Sequence, residues 1–142
     1  MRALLDTHAL LWFLLDDPKL PQPAREFIAD GTNAIAVSPA SYWEIAIKIS
    51  LGKYRLPEPY GPFMERELER NMLSILPILP RHTSVLTDLP FHHRDPFDRL
   101  LIAQCLADGL PIVSGDEVMD DYGVDRIWRD SPSDDAPLSR HP

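Results

Sequence analysis

A second cysteine is missing from this 142-residue chain: Cys105 stands alone, so no internal disulfide can form. The fold must therefore rest on its core, as suits a reducing compartment. A long apolar run is missing too, since nothing approaches the ~18 residues that cross a bilayer. The leucines near the N-terminus are broken by Asp6 and His8, and no small-residue cleavage site follows them, so this stretch is not expected to act as a secretory signal. No cluster of Lys and Arg occurs, which excludes a polybasic arm. No lysine follows Lys53. These absences lead to the expectation of a soluble, cytoplasmic protein without a membrane segment.

What is present is acid. There are 22 Asp and Glu against 14 Lys and Arg, a net charge of −8. Hydrophobic residues make up 44% and charged residues 25%, ordinary for one globular domain of this length. The 15 prolines are scattered at the edges of apolar runs, where they punctuate elements.

The pattern alternates short apolar strands with helices. Strands are expected at Arg2 to Leu5, Ala34 to Val37, Ser74 to Leu79, Pro111 to Val113 and Arg126 to Trp128. Helices are expected at Thr7 to Leu15, Pro21 to Asp30, Ala40 to Leu51, Pro62 to Met72, Arg81 to Leu89 and Pro96 to Ala107, with a short one near Glu117. Pro96 to Ala107 carries the strongest signals: Asp95 as N-cap, proline at the first position, Gly109 beyond the end. Residues 1–129 are expected to form one domain, and 130–142, rich in Ser, Pro and Asp, a disordered tail. Such alternation implies an α/β fold with a mainly parallel sheet, whose ligands lie beyond the carboxyl ends of the strands.

Acids occupy those positions. Asp6 follows the first strand, Asp116 follows the strand at Pro111, and Glu44 lies in the helix entered from Ala34 to Val37. Asp95 and Asp98 open the helix at Pro96. Each has a plain reading as a helix cap, and Ser41 with Glu44 matches a capping box. Caps do not require acids, however, and several carboxylates at one sheet edge repel one another unless a cation joins them. Hard cations such as Mg²⁺ take oxygen ligands and bind phosphate. The pattern thus points to metal-dependent phosphodiester hydrolysis.

Four segments carry a resemblance: Leu4 to Trp12, Ser41 to Lys48, His93 to Gln104 and Ser114 to Asp116. Together they resemble the PIN-domain ribonucleases, specifically the VapC-type toxins of prokaryotic toxin–antitoxin pairs. The likeness runs from the first residues to about Trp128, and the Asp-Pro-Phe-Asp-Arg-Leu-Leu-Ile-Ala-Gln run is its most specific part. It implies a three-layer α/β/α sandwich, an endoribonuclease dependent on Mg²⁺ or Mn²⁺, a homodimer, and neutralisation by a cognate antitoxin. By motif, Asp6, Glu44, Asp98 and Asp116 match the family's acidic quartet. Asp95 is the additional acid of the D-x-x-D pattern, with Asp98 favoured as the one nearer metal. Ser114 fits the family's small hydroxyl residue and would orient a carboxylate or water; Thr7 would do the same for Asp6. Lys48 or Arg99 would meet the phosphate.

Other features read more plainly. Cys105 is expected in the core, and Trp12 and Trp43 in the core or at a dimer contact. His8, His92 and His93 lack a helical ligand spacing and read as bystanders, with His8 the best placed for a role. Glu65 to Arg70 read as a solvated helix face. Three rival functions fit less well. A phosphoacceptor domain needs a second acid after strand one and a late lysine. A silent binding module does not need the full acid set, and a flap or DNA nuclease is usually longer. The five candidate acids account for five of the eight net negative charges, so the acidity is concentrated where a cation would sit.

Overall fold

The structure, a computed structural model, describes residues 1–129. The tail expectation for residues 130–142 falls outside the described residues. The elements run β1 (Arg2–Leu5), α1 (Thr7–Leu14), α2 (Gln22–Ala29), β2 (Ala34–Val37), α3 (Pro39–Ser50), α4 (Tyr60–Arg70), β3 (Ser74–Ile75), α5 (Pro80–Thr87), α6 (Pro96–Asp108), β4 (Ile112–Val113), a 3₁₀ helix (Glu117–Tyr122) and β5 (Arg126–Ile127).

The strands form one sheet in the order β3-β2-β1-β4-β5, and every pairing among them is parallel. The expected α/β class holds, and the sheet is wholly parallel among the described residues. Alternation along each strand builds two cores. Ala3, Leu5, Ile35, Val37, Val113 and Ile127 face a layer containing α1, α2, α4 and Ile45 of α3. Leu4, Ala36 and Ile112 face the opposite layer with α5, α6 and Met119. Both faces are covered, which is why these strands read as continuous apolar runs.

Helix α6 begins and ends where its signals placed it. The Asp95 carboxylate accepts from the N–H groups of Phe97 and Asp98, and Gly109 closes the helix at φ 65. Cys105 is buried as expected, and burial pushes its thiol pKa up. Gln104, also buried, donates from Nε2 to the carbonyls of Leu76 and Pro77, tying α6 to the exit of β3.

Some expectations are corrected. The strand at Ser74 to Leu79 stops at Ile75; Leu76 still donates to the Val37 carbonyl, but Pro77 has no N–H to continue the ladder. Helix α4 starts earlier, at Tyr60, with Gly61 and Pro62 inside its first turn. The Ser41–Glu44 capping box does not form. Helix α3 starts at Pro39, and Ser38 Oγ accepts from the Ala40 N–H as the cap, which moves Ser41 inside the helix. Of the two readings of Trp43, core or dimer contact, the structure removes the first: it is 60% exposed, with its ring edge against Phe97. Trp12 is half-buried and packs on the α1 side of the sheet.

Candidate active site

The sheet order reverses between β1 and β4: from β1 the chain goes to β2 and β3 on one side, then to β4 and β5 on the other. This switch point leaves a crevice at the carboxyl ends of the two strands. The Asp6 N–H, donating to the Val113 carbonyl at 3.0 Å, is the last rung of the ladder there. Asp6 follows β1 directly, and Ser114 follows β4 directly.

Ser114 joins the two strand ends. It is fully buried; its hydroxyl donates to the Asp6 carboxylate and accepts from the Asp116 N–H at 3.0 Å. Asp6 also caps α1, its Oδ1 accepting from the Ala9 N–H at 2.7 Å. Burial raises the Asp6 pKa, against the lowering effect of those two hydrogen bonds. Asp116 caps the 3₁₀ helix by accepting from the Val118 N–H at 3.0 Å.

Asp98 comes to the same crevice from the first turn of α6. Its carboxyl pKa is pushed up to about 7, first by burial and then by the negative charges of Asp95, Asp6 and Glu44, while His93 acts in the opposite sense. Asp95, Asp6 and Glu44 thus stand near enough to Asp98 for their charges to act on its carboxyl. Asp95 spends Oδ1 on the helix N-terminus, accepting from the N–H groups of Phe97 and Asp98. Glu44 enters from α3 and stands half-buried, with Lys48 one turn further on.

Two expected helpers sit differently. Thr7 Oγ1 is buried without a hydrogen-bond partner, so it does not orient Asp6. Arg99 is buried and its guanidinium is spent on carbonyls: Leu89 at 3.1 Å, Pro90 at 2.8 Å and His93 at 3.4 Å. It also lies 3.9 Å over the Phe91 ring. Arg99 therefore braces the loop before α6 and does not face a phosphate. Lys53, Arg55 and Arg94 remain exposed.

His93 is the site residue that sequence reasoning missed. Its Nε2 lies 2.7 Å from Asp116 Oδ2 and 3.1 Å from Asp98 Oδ2. The available signal was its place two residues before the Asp95 cap, with Nδ1 accepting from the Asp95 N–H. His8 instead stacks on Trp12 at 5.1 Å, and His92 meets Tyr122 edge-on.

The residues fit a divalent cation. Asp98 and Asp116 offer oxygens within 4.8 Å of each other and of His93 Nε2. Asp6 and Glu44 add carboxylates, and the orphaned Thr7 hydroxyl lies beside Asp6. Such an oxygen-rich set suits Mg²⁺ or Mn²⁺.

The model of the PIN domain family matches residues 3–125, nearly all of the described chain. The chain belongs to the PIN-domain family. A ribonuclease named VapC16 from Mycobacterium tuberculosis is 38% identical to this PIN domain over 60 residues, 42% of this chain and 43% of that protein. The matched stretch is thus under half the length of that relative. Among solved structures, VapBC2 from Rickettsia felis, bound to a DNA fragment from its promoter, superposes on this PIN domain with a TM-score of 0.67 at 17% identity. It covers 89% of this chain and 97% of that one. FitAcB from Neisseria gonorrhoeae gives a TM-score of 0.62 at 14% identity, over 89% and 96% of the two chains. Both show the same fold. No helix among the described residues is long and apolar enough to cross a membrane.

Proposed function

We propose that this PIN domain is an endoribonuclease dependent on Mg²⁺ or Mn²⁺, and the toxin of a toxin–antitoxin pair. The observation that carries the reading is the gathering of Asp6, Glu44, Asp98 and Asp116 at the switch point between β1 and β4. The named relative VapC16 is a ribonuclease, which supports RNA as the substrate class.

Asp6, Asp98 and Asp116 would hold the cation, with Glu44 and Asp95 at the edge of the site. Held by these residues, a divalent cation would supply a water of lowered pKa and a positive charge for the phosphate. Ser114 keeps Asp6 and the Asp116 backbone in register, and Lys48 is the cation on α3 available to the scissile phosphate. Because water is the nucleophile, products should carry 5′-phosphate and 3′-hydroxyl ends. A cognate antitoxin would cover this acidic pocket with an Arg or Lys, and two copies of the chain would pair; sedimentation with and without that antitoxin measures both.

The test is incubation with structured RNAs in Mn²⁺ or Mg²⁺, then with EDTA, followed by analysis of the product ends. Metal-dependent cleavage with 5′-phosphate ends is expected. A 2′,3′-cyclic phosphate would contradict the mechanism, because it arises from the ribose hydroxyl and not from water.

A further inference from the structure

The loop leading into α6 has no regular structure, yet residue 93 is held at every polar atom. The His93 N–H donates to the Tyr122 hydroxyl at 2.8 Å, and its carbonyl accepts from Arg99. Both of these partners also bind the Pro90 carbonyl, at 2.8 Å each, and Arg99 reaches the Leu89 carbonyl. The ring is fixed as well, since Nδ1 accepts from the Asp95 N–H at 3.2 Å. This explains why a buried arginine stands in the first turns of α6.

A backbone N–H aimed at Nδ1 selects the tautomer. Nδ1 supplies the lone pair, so the ring hydrogen sits on Nε2. Nε2 lies between Asp116 Oδ2 at 2.7 Å and Asp98 Oδ2 at 3.1 Å. In this tautomer it donates to Asp116 and lies in close contact with Asp98, whereas ligation would need its lone pair. The close spacing of His93, Asp98 and Asp116 would otherwise read as a three-ligand metal site. The Asp95 contact separates the two readings.

We propose that His93 is a positioning residue of the metal centre: its Nε2–H is hydrogen-bonded to Asp116 and held 3.1 Å from Asp98, keeping two carboxylates from different elements at a spacing at which they can share one divalent cation. The proposal rests on the reading of the acids as a cation site. Two carboxylates brought together from α6 and from the loop after β4 repel each other. A donor between them offsets that repulsion and leaves further lone pairs on each oxygen for the ion. Partners of this kind, hydrogen-bonded to ligating groups, typically change metal affinity by about 10–100-fold when removed.

The experiment is a Mn²⁺ titration of the full chain followed by electron paramagnetic resonance, comparing wild type, His93→Ala and His93→Gln. The Gln side-chain amide places a donor near the position of Nε2. The Ala variant should bind Mn²⁺ about tenfold more weakly, and the Gln variant should recover most of the loss. Equal affinity in wild type and Ala, or no recovery with Gln, overturns the proposal. So does a directly coordinated imidazole nitrogen in the pulsed spectrum of the wild type, because that makes His93 a ligand. Should the Ala variant fail to fold, ¹⁵N spectra of the wild-type imidazole in EDTA decide the tautomer, and a proton on Nδ1 overturns the proposal. A wild type that binds no Mn²⁺ refutes both the cation site and the role of His93. A wild type that binds Mn²⁺ with the expected His93 dependence, yet cleaves no RNA, refutes only the nuclease reading.

Discussion

Gly115 lies against the indole of Trp128, so close that a methyl group on its Cα would come within 2.7 Å of Cε2. The contact sits between Ser114 and Asp116, which makes an aromatic from the end of β5 the floor of the acid-bearing loop. Trp128 in turn leans on Trp12, 6.1 Å away.

Replacing Gly115 with alanine should therefore displace the loop. Overpacking of this kind costs about 1–3 kcal/mol, and the same shift should weaken Mn²⁺ binding by moving Asp116. Denaturant unfolding and Mn²⁺ titration measure the two effects. Trimming the ring with Trp128→Leu in the Gly115→Ala background should restore part of the metal affinity. An unperturbed Gly115→Ala protein would show that the indole yields freely.

Arg99 and Lys48 should separate stability from RNA binding. Arg99→Ala leaves the carbonyls of Leu89, Pro90 and His93 without their donor, at a cost of about 2–4 kcal/mol. Lys48→Ala should leave the unfolding midpoint nearly unchanged. It should weaken RNA binding and reduce the slope of log K against log salt by about one unit. A lowered salt slope in a folded Arg99→Gln variant, with none in Lys48→Ala, would reverse these assignments.

The raised carboxyl of Asp98 predicts an unusual pH profile in EDTA. Its pKa is about 7 in the folded protein, against the ordinary carboxylate value when unfolded, so the folded form holds the proton more tightly. The stabilisation is complete below about pH 4 and is lost as pH rises towards 7. Stability should fall by about 2 kcal/mol between pH 5 and pH 7.5 once the solvent reaching the pocket is allowed for, and Tm should fall with it. Asp6, raised by burial, adds in the same direction. Asp108, held down at about 2 by Arg81 and by His82, acts with the opposite sign but only below about pH 4. Asp98→Asn should flatten the slope, and Mn²⁺ should raise Tm more at pH 7.5 than at pH 5. A Tm in EDTA that climbs across this window would contradict the placement of Asp98.

Much of this was legible in the sequence because it rests on local signals. Ala3, Leu4 and Leu5 read as a strand buried on both faces, and Asp95, Pro96 and Gly109 marked both ends of α6. The strand-end rule then found Asp6 and Asp116 without any contact information. The misses depended on tertiary contacts. Arg99 looked free because a charge in a helix usually points to solvent; only the fold wraps Leu89, Pro90 and His93 around it. His93 sits in a loop whose path is set by Tyr122, 29 residues away in sequence. Ser41 matched a capping motif, but Ser38 before Pro39 starts the helix one turn earlier.

The most direct measurement is cleavage of one end-labelled structured RNA in Mn²⁺ by wild type and by Asp116→Asn, with both proteins shown to be folded. Asp116 keeps its cap to the Val118 N–H through a side-chain oxygen that Asn also provides, so the fold should survive. Cleavage by wild type, abolished by EDTA and by Asp116→Asn, is the predicted result. Equal cleavage by the folded Asp116→Asn protein would contradict a centre built on these acids.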